Sequence, residues 1–460
     1  MPRVPQLEKD LGIEVYATRT KGIGGVIRFS FDDFVVEEVL LDNSRATVSK
    51  ERNLSLKISL VPVAWKKYLI CVMVKRGWDT LLAVRRIAQQ LGVDFNAVKV
   101  AGIKDAKALT AQHISLRNVH PEELEIVRLK DLTLNPIKYS HRTVSPHLLL
   151  GNHFNITIRN ITHSKTEVKK RISETWKQLE TLGGIPNFFG HQRFGTTRPI
   201  THKVGKALVK GNVEEAAMLF LAAPSPFEHE ISRKARRRLS ENQDFKTARD
   251  YFPKHLKYER LMLGHLAEHP RDFVGAFRKL PLQLRRLFVQ AYQSYLFNRF
   301  LSQRIKQKIP LNQPQIGDFA VWVDKYGLPT SKHEIVREEN FTEIEAAIEK
   351  GKMRIALPLP GYRQNLSGGV QGEIEQSILE EDKVSCMDFR ISGWKEISLK
   401  GSLRTCVTIV QDFSFTSPRE DSANPSKRMV TLRFMLLRGS YATIVLREFM
   451  KPQNVIDAGF

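Results

Sequence analysis

The stretch Val98-Lys-Val-Ala-Gly-Ile-Lys-Asp-Ala-Lys-Ala-Leu-Thr-Ala-Gln112 places a charged turn directly after a short strand. Its first residues alternate valine with other residues, at the period of two that is typical of a β-strand. Gly102 then allows the backbone to bend, and Asp105 follows between Lys104 and Lys107. A carboxylate beside cations stays ionised at neutral pH, and it can act as a nucleophile where water is excluded. The simpler interpretation is a charged surface turn, since such turns are rich in aspartate.

The residues before this turn predict a strand and a helix that lead into it. Lys67-Tyr-Leu-Ile-Cys-Val-Met-Val74 is typical of a strand. Asp79 and Thr80 can cap a helix whose apolar residues recur at spacings of three and four, and Gly92 can end it. The order strand, helix, strand therefore places Asp105 just beyond a strand end, where ligand sites are common.

Two phenylalanines and an asparagine in strand patterns are candidates for contact with a planar ligand. Residues 34–39 form a predicted strand, so Phe34 is either a core residue or an aromatic surface for a base. Phe154 has the same two interpretations. Gly151-Asn152 is expected to interrupt the β pattern of residues 147–158, where Asn152 can either turn the chain or present its amide to a ligand.

The composition changes in the middle of the chain. Residues 183–195 contain four glycines and three phenylalanines, which predicts a structured loop with an aromatic surface. Ser232-Arg-Lys-Ala-Arg-Arg-Arg238 either contacts phosphate or forms a solvated helix face, and residues 356–361 are expected to form a loop. Helices are predicted for residues 203–223, 254–267, 282–305 and 340–350.

Strand patterns return near the C-terminus, at residues 405–410 and 430–437. Residues 417–428 between them are polar and contain proline, which predicts a loop. A helix is expected to follow, with Ser440 as its cap and Tyr441 at the turn.

Strand patterns at both ends of the chain, residues 26–29 among them, with helices between, predict an α/β (α+β) fold. Residues 1–183 together with 396–460 are expected to form one domain around a largely antiparallel sheet. Residues 184–395 are expected to form a helix-rich domain inserted into it.

The composition of the chain restricts its class. Its 460 residues, 42% of them hydrophobic, suit a folded protein of two or three domains. No run of about 18 apolar residues occurs, so no membrane span is expected. The first ten residues lack the apolar core of a signal peptide, and a cytoplasmic location is expected. The net charge of +23 predicts a polyanionic partner, which is RNA, DNA or an anionic membrane surface.

The sequence contains no pattern for a metal or a cofactor. Cys71, Cys386 and Cys406 are far apart, which fits a reducing compartment and gives no zinc spacing. The 13 histidines form no His-Glu-x-x-His pattern, and no glycine-rich nucleotide loop follows a strand. Neither a metal nor a small-molecule cofactor is therefore expected.

Ordered motifs spread over nearly the whole chain resemble those of the TruD family of tRNA pseudouridine synthases. The motifs are Asp33-Phe-Val-Val-Glu-Glu38, Ala101-Gly-Ile-Lys-Asp-Ala-Lys-Ala-Leu-Thr-Ala-Gln112, Gly151-Asn-His-Phe154, Ile185-Pro-Asn-Phe-Phe-Gly-His-Gln-Arg-Phe-Gly195, Ser294-Tyr-Leu-Phe-Asn298 and Gly439-Ser-Tyr-Ala-Thr443. They occur in the family's order. The resemblance implies a pseudouridine-synthase-like catalytic domain interrupted by the family's insertion domain.

The resemblance also implies an activity and a site. Family members isomerise uridine to pseudouridine in tRNA, usually uridine 13 of the D-arm, and their aspartate corresponds to Asp105. The family's uracil pocket corresponds to Phe34, Asn152, Phe154 and Tyr441, where the last position is commonly phenylalanine. A tRNA partner, no cofactor and a monomer are therefore expected.

A basic residue usually pairs with the aspartate in this family, and the sequence offers both Arg28 and Lys104 for that position. The reaction breaks the N1–C1′ bond and forms a C5–C1′ bond, without redox change, energy source or metal. Attack at C6, attack at C1′ and a glycal route all need a carboxylate at Asp105. Two alternatives to a synthase are a non-catalytic RNA-binding module and an enzyme that removes the base.

Overall fold

The computed structural model describes residues 2–48 and 67–460, so residue 1 and residues 49–66 of the predicted first domain lie outside the described part. Its strands are β1 (Phe34–Leu40), β2 (Tyr68–Arg76), β3 (Val98–Val100), β4 (Leu109–Arg117), β5 (Leu132–Ser140), β6 (Leu149–Ile161), β7 (Ile185–Pro186), β8 (Phe319–Val323), β9 (Pro329–Ile335), β10 (Met353–Leu359), β11 (Ser402–Thr405), β12 (Val407–Thr408), β13 (Val410–Phe415), β14 (Arg419–Asp421) and β15 (Asn424–Leu437). Its helices are α1 (Gln6–Lys9), α2 (Thr80–Leu91), α3 (Lys165–Thr181), α4 (Thr201–Val209), α5 (Val213–Ala222), α6 (Glu230–Asn242), α7 (Phe245–Tyr251), α8 (Lys257–Glu268), α9 (Phe273–Arg278), α10 (Leu282–Lys306), α11 (Phe341–Glu349), α12 (Gly369–Asp382) and α13 (Ala442–Met450).

A large sheet brings together strands from both ends of the chain. Its order is β13-β15-β6-β1-β4-β2-β5, with β14 beside β15 and β3 beside β4. Its neighbouring strands are antiparallel, apart from the parallel pair of β1 and β4. The predicted α/β class with a largely antiparallel sheet is confirmed.

Strand β15 joins the C-terminal part of the chain to the N-terminal part. It pairs with β6 from Arg428 opposite Ile161 to Leu437 opposite Gly151. A smaller sheet has the order β11-β10-β8-β9. β11 belongs to this smaller sheet, although the predicted domain boundary lies before it. The division of the chain into residues 1–183 with 396–460 and residues 184–395 stays a prediction.

Helix α2 has the ends that its sequence predicts. The Asp79 carboxylate accepts a hydrogen bond from the Leu82 amide at 2.9 Å, which caps the first turn. Gly92 follows the last turn with φ of 66°, a left-handed conformation that glycine adopts without strain. The buried Ile87 of this helix packs in one cluster with Cys71 of β2. The helix thereby supports the strand that lies next to β4.

The predicted interruption at Gly151 is wrong, because Gly151 lies inside the continuous strand β6. Its Cβ would be 2.1 Å from the Leu436 carbonyl oxygen of β15. Glycine is present here because the two backbones approach closely, and it does not break the strand.

The predicted loops at residues 356–361 and 417–428 are also wrong over much of their length. Pro358 lies in β10, and its missing N–H is tolerated because β8 pairs with β10 only as far as Ala356. β14 and β15 form a hairpin at residues 419–428. The Asp421 carboxylate accepts hydrogen bonds from the Ala423 amide and the Asn424 side chain, which stabilises its turn.

Residues 26–29 do not form the predicted strand. Val26 makes one isolated bridge with Arg159, and Arg28 has φ of 58°, a left-handed conformation that ends extended structure. The predicted cap of the C-terminal helix is wrong as well. The Ser440 hydroxyl lies 2.6 Å from the Thr408 hydroxyl and does not cap α13.

The loop at residues 183–195 has no aromatic surface, because Phe188, Phe189 and Phe194 are all buried. The cationic cluster at residues 232–238 lies in α6, and neither of its two interpretations fits Arg236. That guanidinium is buried between two carboxylates, 3.0 Å from Glu228 and 2.6 Å from Glu259.

The remaining differences concern element boundaries. Residues 203–223 form two helices, α4 and α5, and residues 405–410 contribute to three short strands. Helices α7, α9 and α12 and strands β8, β9 and β10 lie where the sequence predicts no such element, and α6 agrees with the helix that one interpretation of residues 232–238 requires. Within the part of the chain that the structure describes, no helix is long and apolar enough to cross a membrane.

Changing Gly151→Ala is expected to lower the free energy of unfolding by about 3 kcal/mol, because the added methyl forces β6 and β15 apart. Gly264→Ala is the matched control, since Gly264 lies in α8 with no atom near the added Cβ. It is expected to stabilise the protein by about 0.5–1 kcal/mol. Urea unfolding measures both, and equal effects would contradict the close approach.

Candidate active site

All five predicted pocket residues line one slot of about 200 Å³. They are Phe34, Asp105, Asn152, Phe154 and Tyr441. A larger cavity of about 680 Å³ lies between residues 19–26 and 450–458, and it is lined by none of these five. Among the described residues, no group of three or more His, Cys, Asp or Glu side chains could hold a metal ion.

The pairing of β1, β6 and β15 sets the floor of the slot. Val36 lies opposite Phe154, which in turn lies opposite Phe434. Directly opposed residues share a face of the sheet, and so does Phe34, two residues before Val36. The Phe34 and Phe154 rings meet edge to face with centroids 6.5 Å apart, and Phe154 stacks on Phe434 at 5.3 Å. Phe34 and Phe154 are therefore core residues that also line the slot.

Asn152 brings an unsatisfied amide to the same face of the sheet. It lies opposite Glu38 of β1. Its Oδ1 atom is buried and has no hydrogen-bond partner among the described residues. A buried polar atom without a partner costs about 1–3 kcal/mol. A ligand that donates a hydrogen bond to this oxygen would remove that cost.

The opposite wall comes from the start of α13 and from the loop at residues 187–195. The Tyr441 ring contacts Phe189 edge to face, with centroids 6.1 Å apart. The Thr443 hydroxyl donates to the Gln192 side-chain oxygen at 3.3 Å. Gly190 allows this approach, since its Cβ would lie 2.9 Å from atoms of both Tyr441 and Thr443.

Arg28 pairs with Asp105 at the slot. Its Nη2 atom lies 3.1 Å from Oδ2 of Asp105, and its Nη1 atom donates to the Gly459 carbonyl at 2.7 Å. Its guanidinium carbon lies 4.2 Å from the centre of the Phe34 ring. Burial lowers the pKa of Arg28, and the Asp105 carboxylate opposes that shift. The Asp105 side chain is 40% exposed, so a ligand can reach the carboxylate while Arg28 holds it.

Lys104, the other candidate partner of Asp105, pairs instead with Glu38. Its Nζ atom lies 2.6 Å from Oε2 of Glu38, and both side chains are buried. The His113 amide donates to the other Glu38 oxygen at 3.0 Å. Burial raises the pKa of Glu38, but hydrogen bonding from His113 and the Lys104 ammonium outweigh it and bring the pKa below its usual value. Lys104 therefore fixes the turn by its buried ion pair with Glu38 of β1.

A second buried lysine holds the backbone of Asp105. Lys75 in β2 is fully buried and donates to the Asp105 carbonyl at 3.1 Å and to the Trp78 carbonyl at 2.7 Å. Burial lowers the pKa of Lys75 to about 8, with the Lys104 charge acting in the same direction and Asp105 and Asp79 opposing it. The turn is thus held by two ammonium groups. That of Lys104 pairs with the Glu38 side chain, and that of Lys75 donates to the main-chain carbonyl of Asp105.

Sequence reasoning missed three residues at this site: Glu38, Lys75 and Gln192. Glu38 and Lys75 carried a usable signal, because each is a charged residue within a strand pattern. Lys75 also lies on the same face of the strand as Cys71 and Met73, because the three are spaced two residues apart, and those two residues face α2. Gln192 had no comparable signal, since its place in the slot depends on contacts between distant segments.

Comparison with known proteins gives one consistent result. A family model for tRNA pseudouridine synthase D (TruD) matches residues 10–449. A protein of Methanosarcina barkeri (strain Fusaro), described as a probable tRNA pseudouridine synthase D, is 41% identical over 450 residues, covering 98% of each chain. A Pyrococcus abyssi (strain GE5) protein with the same description is 34% identical over 438 residues, covering 95% of this chain and 98% of its own. A crystal structure of the Methanosarcina mazei TruD protein matches with a TM-score of 0.81 at 40% identity, covering 97% of this chain and 98% of that one.

Lys104→Met is expected to lower the free energy of unfolding by about 3–5 kcal/mol, because it leaves the Glu38 carboxylate buried without its cation. Adding Glu38→Gln to that variant should recover part of the loss, since both charges are then absent. Urea unfolding measures the difference. Lys138→Met is the control, because its pair with Asp42 is exposed and should contribute less than about 1 kcal/mol. A double variant less stable than the single one would contradict this assignment.

Proposed function

This chain belongs to the TruD family of tRNA pseudouridine synthases, and from that premise we propose that it converts uridine 13 of the tRNA D-arm to pseudouridine with Asp105 as the reacting carboxylate. The choice of uridine 13 rests on the ordered motifs that the chain shares with the family. The choice of Asp105 rests on the Gly-Ile-Lys-Asp motif and on the surroundings of its side chain.

The observation that carries the proposal is a carboxylate with an exposed edge in a slot suited to one pyrimidine ring. Phe34 and Phe154 supply apolar walls, and the unsatisfied Asn152 amide supplies one hydrogen-bonding group. The slot volume of about 200 Å³ suits a single base and excludes a stacked pair. A base can enter such a slot only after it has left its stack.

Uracil offers groups that complement this slot. Its N3–H can donate to Asn152 Oδ1, and the Asn152 Nδ2 group can donate to a neighbouring carbonyl of the ring. The aromatic side chains then hold the ring by stacking and edge contacts while the glycosidic bond is broken. These contacts keep the detached uracil close to the ribose until its C5 atom faces C1′.

The reaction is balanced without any external reagent. The N1–C1′ bond breaks, the C5–C1′ bond forms, the proton on C5 leaves, and N1 gains a proton. Asp105 takes part either as a nucleophile or as a general base, and each role needs an ionised oxygen directed at the nucleoside. Arg28 orients the Asp105 carboxylate through its contact of 3.1 Å.

The net charge of +23 supports tRNA as the partner, because phosphate neutralisation by lysine and arginine supplies much of the affinity of RNA-binding proteins. Contacts of this kind do not select a base. Selection of one uridine is therefore left to the slot and to the shape of the RNA around it.

Asp105→Asn is expected to abolish turnover, on the order of a thousandfold or more, and to leave tRNA affinity nearly unchanged. The amide keeps the size of the carboxylate but cannot carry its charge. Tritium release from tRNA tritiated at C5 of uridine measures turnover, because C5 loses its hydrogen only in the isomerisation. Asp42→Asn, which removes an exposed carboxylate outside the slot, is the control. Near-normal release by Asp105→Asn would exclude the proposed role, and an abasic product would indicate base removal.

The buried Lys75 predicts a loss of activity in the wild type above about pH 8, where its ammonium loses a proton and its hold on the Asp105 carbonyl weakens. Lys75→Met should lower kcat by roughly tenfold to a hundredfold, with little change in KM and without the loss above pH 8. Single-turnover rates between pH 6 and 9.5 measure both, and Lys99→Met on the exposed side of β3 is the control.

Unfolding does not explain such an alkaline loss. The pKa of Lys75 is lowered in the folded chain, so between about pH 8 and the ordinary value of 10.5 the unfolded chain binds a proton that the folded chain has released. This group therefore makes the fold more stable as pH rises through that window. An alkaline loss of equal size in Lys75→Met would contradict the prediction.

A further inference from the structure

A second chamber of about 500 Å³ adjoins the slot, and Asp105 and Gln192 line both. The Asp105 and Gln192 residues therefore lie at the boundary between the chamber and the slot. Its volume lies within the range of sites that hold small ligands. The mechanism described above uses one residue of the chamber wall, Arg28, to hold Asp105, and it places no part of the RNA in the chamber.

The chamber contains an exposed aromatic ring on the turn at residues 225–228. Phe227 lines the chamber and is 40% exposed, so a ligand in the chamber can reach its ring. The turn is fixed against the chamber wall, because the Ser225 hydroxyl donates to the Thr197 carbonyl at 2.7 Å. The Phe227 amide donates to the same hydroxyl at 3.3 Å.

A buried ion pair holds the other side of this turn. The Ser225 amide donates to Glu228 at 2.9 Å, and the Glu228 carboxylate accepts a bond of 3.0 Å from Arg236. The Arg236 side chain is 2% exposed. Arg236 belongs to the cationic cluster of α6, whose role in this respect is structural. The exposed ring is thus presented by an ordered turn, which lowers the entropy cost of binding to it.

The chamber also offers a cation beside Asp105. Lys107 lines it, is exposed, and has no ion-pair partner among the described residues. An exposed ring and an unpaired cation at one site are the two groups that unpaired nucleotides use, for base stacking and for phosphate contact.

We propose that the second chamber binds the nucleotide next to the target uridine, with its base stacked on Phe227 and its phosphate near Lys107. The proposal rests on the proposed function, because it requires the target base to occupy the slot. A flipped uridine stays joined to both neighbours by phosphodiester bonds, so a neighbour must lie at the edge of the slot. The position of the chamber, its exposed ring and its cation all fit this neighbouring nucleotide.

The proposal is tested by combining protein variants with RNA variants. The RNAs are the intact tRNA and two versions in which the nucleotide 5′ or 3′ of the target is abasic. The proteins are wild type, Phe227→Ala, and Phe227→Leu, which keeps an apolar side chain without a stacking face. Phe95→Ala is the matched control, because Phe95 is 43% exposed and lines neither cavity. The measured quantity is kcat/KM for pseudouridine formation.

We expect Phe227→Ala and Phe227→Leu to lower kcat/KM on intact tRNA by roughly tenfold, as for loss of one stacked base. One abasic RNA should lower the wild-type value by a similar factor and identify the neighbour as 5′ or 3′. Combining that RNA with either variant should add little further loss. Losses that multiply, or a Phe227→Leu value equal to that of the wild type, would overturn the proposal.

Binding of the same RNAs to proteins that also carry Asp105→Asn separates this proposal from the proposed function. In these inactive proteins, we expect the Phe227 variants and the abasic RNA to lower the affinity for RNA by amounts that do not add. If wild type converts no uridine, the proposed function fails, and coupling in affinity would still support the chamber. If conversion is normal and no coupling is found, the chamber proposal alone fails.

Discussion

Two buried ammonium groups hold the turn on which Asp105 lies, and the geometry of the slot depends on them. Lys104 pairs with Glu38 beneath the turn, and Lys75 donates to the Asp105 carbonyl. Burying charge is costly unless it is paired or hydrogen-bonded, so these contacts strongly favour a single conformation of the turn. The Asp105 carboxylate is left free of them and faces the slot at 40% exposure. The fold thus fixes the main chain with buried charges while leaving the Asp105 carboxylate accessible.

The register of β1 with β6 provides the second constraint. Asn152 and Phe154 lie two residues apart in β6 and therefore share a face of the sheet, and Phe34 shares that face because Val36 lies opposite Phe154. A shift of β1 by one residue would turn Phe34 to the other face. Gly151 is required on the other side of β6, since a side chain there would meet the Leu436 carbonyl of β15.

The sequence allowed the slot residues to be named but not their supporting contacts. Motif order pointed to Asp105, Asn152 and Tyr441, and strand patterns in the sequence predicted β1, β2 and β15. Strand alternation gave a wrong prediction at Arg28, whose backbone is left-handed and whose side chain contacts Asp105 and the Gly459 carbonyl, both distant in sequence. It failed again at residues 356–361, because a proline is tolerated once its neighbouring strand has ended. The catalytic role of the slot residues and the domain boundaries stay predictions.

The excess positive charge of the chain is available to RNA even though many arginines are buried. Arg236 is buried against Glu228 and Glu259, Arg304 against Asp318, and Arg447 against Glu8. Each of these contacts removes a carboxylate from the surface along with a cation, so the buried networks do not absorb the net charge of +23. Exposed lysines such as Lys107 carry part of this excess, and cations there attract phosphate. In the proposed function, affinity and base selection therefore rest on separate groups, so that a small slot could act on a large RNA.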